Sequence, residues 1–186
     1  MHATEPAALT MPAPSEEGLS IRFTREPDLA AVALIYGHHV LHGTASFELE
    51  PPGIDEMTRR WRAITEGGYP HLVAVSDGVV VGYAYASAYR PRPAYRGTVE
   101  DSVYVRAGAE GRGIGCALLD TLIEQCADRG FQQMVAVIGD STPASIALHA
   151  RAGFEHVGVL KSVGYKFGAW RDVTLMQRPL HSMEIP

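Results

Sequence analysis

Val103-Tyr104-Val105-Arg106-Ala107-Gly108-Ala109-Glu110-Gly111-Arg112-Gly113-Ile114-Gly115 runs from an alternating strand through a glycine-rich turn into the start of a helix. That order leaves a nest of backbone N–H groups at a helix N-terminus, where partial positive charge collects and an anion can be held. Glycines at 111, 113 and 115 allow a pyrophosphate to approach the backbone without meeting a Cβ. A phosphate-bearing ligand is implied. It is not a Walker loop, because Gly113 is followed by Ile114 where that motif needs Lys. Nor is it the dinucleotide fingerprint, whose third glycine would fall on Cys116 and whose ribose-binding acid would fall on Phe131.

Outward from this turn, the periodicity predicts a helix over about 113–129, with Ile114, Leu118, Leu122 and Cys126 along one stripe and Gly130 ending it. Before the turn the period is two. A strand over 98–106 puts Thr98, Glu100, Ser102 and Tyr104 on one face and Val99, Val103 and Val105 on the other. Strands over 72–76 and 79–89 flank Asp77-Gly78, a two-residue hairpin signal, and the second alternates Tyr83, Tyr85, Ser87 and Tyr89 with Ala84, Ala86 and Ala88. Helices are expected over 28–41, 55–66 and 144–151, and further strands over 19–24, 133–138, 154–160 and 173–177. The pattern reads as α+β: one domain with a mixed, mostly antiparallel sheet of about six or seven strands flanked by about four helices. Its bounds are 19–180, after an unpatterned Ala/Pro/Glu-rich leader over 1–18, expected to be disordered, and before a short tail over 181–186.

The 186 residues suit a single domain with its own core. The longest apolar run, 29–36, is far short of the roughly 20 residues a membrane span needs, and no secretory pattern opens the chain, so the cytoplasm is the expected address. A net charge of −5, concentrated in the leader, argues against a nucleic-acid platform. Cys116 and Cys126 share one helix about 15 Å apart along its axis and cannot pair. His38, His39 and His42 read as helix-surface residues; the acid of a zinc-protease motif is missing, and no metal site is expected.

The glycine turn resembles the acetyl-CoA signature of the GNAT N-acetyltransferase superfamily, Arg/Gln-x-x-Gly-x-Gly/Ala. Four further segments narrow this: Thr44–Phe47, Tyr89–Glu100, Ser145–His149 and Val163–Asp172. With them the chain, over about 21–177, resembles the phosphinothricin and methionine sulfoximine N-acetyltransferase family. Two positions depart from the family pattern. Glu110 stands where the signature begins with Arg or Gln, with Arg112 as a compensating cation, and Thr142 stands where Asn is usual.

The resemblance implies acetyl-CoA as co-substrate, bound by Val103, Tyr104, Val105, Gly111, Arg112, Gly113, Ile114, Gly115, Cys116, Thr142 and Ser145. The implied reaction is direct acetylation of a small amino acid's amino group, with a homodimer as the usual assembly. An α-amino group with a pKa of about 8 is largely protonated at neutral pH, so a base must remove a proton. Glu100, mid-strand where burial raises its proton affinity, is the candidate, and the family gives that position the same role. His149 stands where much of the superfamily has a Tyr, four residues before the Gly of a Gly-Phe turn, and its near-neutral titration suits acid or base duty. Arg90, Arg92 and Tyr95, with Phe47 as a wall, form the candidate site for the acceptor's carboxylate or phosphinate. Acetylation of another amine, including a protein N-terminus, or non-catalytic sensing of acyl-CoA are the competing readings.

Overall fold

Alternation along the central strands decides which helices cover which face of the sheet. The computed structural model describes residues 18–181. In chain order the elements are β1 (Ser20–Phe23), α1 (Leu29–His42), α2 (Ile54–Glu66), β2 (His71–Ser76), β3 (Val79–Ala88), β4 (Thr98–Val105), α3 (Ile114–Asp128), β5 (Gln133–Gly139), α4 (Pro143–Arg151), β6 (Glu155–Lys166) and β7 (Ala169–Pro179). They build one seven-stranded sheet, ordered β1-β2-β3-β4-β5-β7-β6, in which only β4 and β5 pair in parallel. This is the α+β architecture expected. The leader and tail lie, except for Gly18 and His181, outside the described residues.

Ala84, Ala86 and Val99 face α3, whose Ile114, Leu118, Leu122 and Cys126 are buried against them. Each such large side chain contributes about 1.5–3 kcal/mol through its removal from water. On the other face Tyr83 and Tyr104 pack under Val32, Tyr36 and Val40 of α1 and Met57 of α2. Small residues on one face and tyrosines on the other therefore assign α3 and α4 to one side and α1 and α2 to the other.

The C-terminal strands are longer than the expected 154–160 and 173–177. They form a hairpin whose turn, Phe167-Gly168, has φ of +52° and +73°, the doubly positive geometry of a type I′ turn. Phe is a poor turn residue, so its position conceals the hairpin from a composition reading. Lys166, at the turn, is buried, and its Nζ donates to the Ser46 carbonyl at 2.6 Å. That bond, with Tyr36 Oη bonded to Ser46 Oγ at 2.8 Å and to Glu48 at 2.9 Å, pins the loop after α1 over the end of the sheet.

Pairing of β4 with β5 runs from Thr98↔Gln133 to Asp101↔Ala136 and then stops, although β4 continues to Val105 and β5 to Gly139. The strands splay, and a cavity of about 70 Å³ lies between them. The site is organised by this opening.

Candidate active site

A cleft of about 680 Å³ lies at the splayed end of the sheet. β4 contributes Val103 and Val105, the turn contributes Gly111 and Gly113, and the first turn of α3 contributes Ile114, Gly115 and Cys116. Thr142 and Ser145 close it from the start of α4. Sequence reasoning missed His39, Leu148 and Arg151 in the same wall. His39 is not a simple surface residue: its Nε2 bonds the Val105 carbonyl at 2.8 Å, fixing the end of β4.

Within the turn, Gly108, Gly111 and Gly113 are left-handed, at φ of +80°, +75° and +76°, while Gly115 lies within α3. At Gly111 and Gly113 an added Cβ would meet no protein atom, so within the chain itself it is the positive φ that demands glycine there. This shape suits a diphosphate: the intrahelical ladder begins only with the Ala117 N–H on the Gly113 carbonyl at 3.0 Å, so the amides of Ile114, Gly115 and Cys116, which line the cleft, have no acceptor within the helix. Tyr104 does not line this cleft. It is buried on the opposite face, stacked on Tyr83 with centroids 5.1 Å apart, and lines only the small cavity.

Where β4 and β5 part, Asp101 and His149 meet. Nε2 of His149 lies 2.9 Å from Asp101 Oδ2 and Nδ1 lies 2.8 Å from the Ser145 carbonyl, with both side chains nearly excluded from water. Burial alone lowers the affinity of this imidazole for a proton, but the Asp101 bond and charge and the Ser145 carbonyl outweigh it and raise its pKa above the ordinary value. Asp101 was absent from the sequence expectations because it falls on the same strand face as Val99 and Val103.

Glu100 points the other way, towards the tyrosine face, opposite Ser87 of β3. Burial, reinforced by the Asp101 charge and opposed by Arg90, raises its pKa above the usual carboxylate value. Nearby, Tyr85 and Ser87 line a 330 Å³ cavity beneath α1 and α2, with Arg60 and Trp61. Arg90 lies over the Tyr89 ring at 4.3 Å, and Tyr89 meets Tyr95 edge-on. Arg92 and Tyr95 are exposed on the same loop, and none of Arg90, Arg92 and Tyr95 lines the three cavities. Phe47 lies on the pinned loop against Gly164 and Gly139.

The sequence profile of the Acetyltransferase (GNAT) family matches residues 38–154, from the end of α1 through α4. The chain belongs to the GNAT acetyltransferase family. It is 52% identical over 164 residues to a phosphinothricin N-acetyltransferase of Alcaligenes faecalis, covering 88% of this chain and 83% of that one. It is 44% identical over 160 residues to an L-methionine sulfoximine/L-methionine sulfone acetyltransferase of Pseudomonas paraeruginosa, covering 85% and 92%. Among solved structures, the phosphinothricin acetyltransferase of Sinorhizobium meliloti in complex with AcCoA superposes with a TM-score of 0.85 at 49% identity, covering 87% of this chain and 88% of that one.

Within this GNAT frame the two departures have local explanations. Glu110 folds back so that its carboxylate accepts from the Gly108 N–H at 2.7 Å, tying the acid to the outer edge of the turn. Thr142 is the residue before α4, but its hydroxyl donates to the Gly139 carbonyl at 2.8 Å and does not cap the helix. The same bond closes the turn through Asp140 and Ser141, both at positive φ.

Proposed function

We propose that this GNAT protein uses acetyl-CoA to acetylate the amino group of a small amino acid such as phosphinothricin or methionine sulfoximine or sulfone. The observation that carries this reading is the coincidence of two features on β4. Its C-terminal end runs into the anion cradle, and Glu100 sits three residues before Val103, about 10 Å along the strand at roughly 3.3 Å per residue. The relatives' activities support the choice of acceptor.

The amides of residues 111–116 hold the diphosphate, and Val103, Val105, Cys116, Thr142 and Ser145 guide the acyl arm towards the opening between β4 and β5. Acetyl-CoA supplies an acetyl thioester: the amine forms a C–N bond at its carbonyl carbon, the C–S bond breaks, and sulfur leaves as thiolate. Glu100 takes the proton released from the amine, directly or through one water, and its raised pKa brings it closer to that task. His149 faces the same slot from the α4 side and supplies positive charge. Arg90, Arg92, Tyr95 and Phe47 orient the acceptor, with Arg90 already within electrostatic reach of Glu100.

The exposed Val163, Tyr165, Phe167 and Trp170 of the β6–β7 hairpin form an apolar face suited to a second copy, and in this reading the working form is a homodimer, with the cytoplasm as its place of action. Among the described residues no helix is long and apolar enough to cross a membrane. Thiol release from acetyl-CoA, assayed across phosphinothricin, methionine sulfoximine and unrelated amines, tests the proposal. Rapid release with the first two supports it; release only with other amines would reassign the acceptor, and binding of acetyl-CoA with no release would make the chain a sensor.

A further inference from the structure

Asp101 is the only buried acid among the described residues, and the reaction outlined above does not use it. Resting on that acetyl-transfer reading, we propose that Asp101 is a positioning residue that holds His149 as an imidazolium with both ring protons committed. His149 then serves the departing thiolate as a fixed charge and not as a proton shuttle.

The hydrogen-bond chemistry leads to this state. A carbonyl oxygen can only accept, so the 2.8 Å contact with Ser145 places a hydrogen on Nδ1. An ionised carboxylate can also only accept, so the 2.9 Å contact with Asp101 Oδ2 places a second hydrogen on Nε2. Side-chain exposures of 5% for His149 and 2% for Asp101 exclude the water that would otherwise screen the pair. The other carboxylate oxygen, Oδ1, is buried without a hydrogen-bond partner, and Asp101 lines the small cavity between the splayed strands. The pair therefore borders the slot that the thioester must occupy.

No other group on the surrounding elements replaces Asp101. From its own helix the ring meets Ser145, and beyond α4 it meets the edge of Phe154, 5.0 Å away between centroids. Across the cavity β5 presents Ala136 to Gly139, none of which titrates. On α3, Cys126 has its thiol pushed up to about 12, mainly by burial, with Arg129 opposing and Asp101 reinforcing, so it is neutral at pH 7. Arg178 of β7 binds the Ala152 carbonyl, just past α4. Glu100, though adjacent in sequence, projects to the opposite face. The raised pKa of His149 agrees with this arrangement: its charge persists above the pH at which a free imidazole loses it and is lost as pH climbs through the raised value.

The experiment is a ring-nitrogen NMR titration of the full chain labelled with ¹⁵N-histidine, with His149→Gln assigning the signal. It is combined with kcat profiles of the parent and Asp101→Asn. In the parent, both ring nitrogens should be protonated at pH 7. In Asp101→Asn the amide donates to Nε2, burial acts without its counter-charge, and the ring should be the neutral Nδ1–H tautomer at pH 7. Turnover should fall about tenfold, one 1.4 kcal/mol step in barrier, with the acidic limb of the profile unmoved. A neutral parent ring at pH 7 would overturn the proposal, as would a folded Asp101→Asn whose turnover and ring state match the parent. Should the variant not fold, the parent titration alone decides. Should the parent release no thiol with any amine, the acetyl-transfer reading fails while the titration still settles the pairing.

Discussion

Glu100 and Asp101 are consecutive residues of β4, yet they occupy unlike surroundings. Glu100 faces the tyrosine side beneath α1 and α2 and is raised in pKa chiefly by burial, with the charge of Arg90 opposing the shift. Asp101 faces α3 and α4, is bonded to His149, and leaves one oxygen against the small cavity. In the proposed reaction the side-chain alternation of the strand thus makes one acid the proton acceptor and its neighbour half of a charge pair, on opposite sides of the opening that is to take the acyl group. Identical functional groups are differentiated by what the sheet packs against each face.

The largest effect that could break this contrast is at Glu100. Glu100→Gln is expected to lower kcat by about 10²- to 10⁴-fold, the usual contribution of a positioned base, with acetyl-CoA affinity measured by calorimetry changed less than about threefold. The parent kcat should rise with pH through the raised pKa of Glu100, since the carboxylate is the working form, and this limb should lie above the ordinary glutamate value and vanish in the variant. If Asp101→Asn instead abolished that limb, the two acids would have exchanged roles.

Next in size is the cradle. Gly113→Ala must hold φ of +76° with a Cβ, at about 1–2 kcal/mol, and is expected to weaken acetyl-CoA binding about tenfold while leaving the acidic limb in place. Smallest is the third acid, Glu110, which is exposed and bonded to the Gly108 amide. Glu110→Gln removes a negative charge from the cleft rim and should tighten acetyl-CoA binding by no more than about threefold, an effect that fades with added salt. A larger gain would mean that Glu110 faces the diphosphate directly.

The cradle was legible because its requirements are local: a strand, spaced glycines and a helix in one contiguous stretch. Glycines 111, 113 and 115 all line the cleft, while the backbone conformation that spacing does not show, positive φ, falls on 108, 111 and 113. Glu100 became a candidate from alternation, which put it mid-strand with Thr98, Ser102 and Tyr104, together with the family resemblance that gives its position a base role. Asp101 did not, since the same alternation places it among core valines and its partner lies 48 residues away. The pinned loop at Ser46 depends on Lys166, 120 residues distant, and the hairpin that carries Lys166 turns on a Phe that no turn preference signals. Contacts made by tertiary packing leave no pattern in a window of sequence.

The measurement that tests the account most directly is a crystal structure of the full chain with acetyl-CoA bound. The account predicts the diphosphate on the amides of residues 111–116 and the thioester in the opening between β4 and β5, with its carbonyl carbon within one bridging water of the Glu100 carboxylate. A coenzyme lying outside this cradle, or a thioester beyond the reach of Glu100, would contradict it.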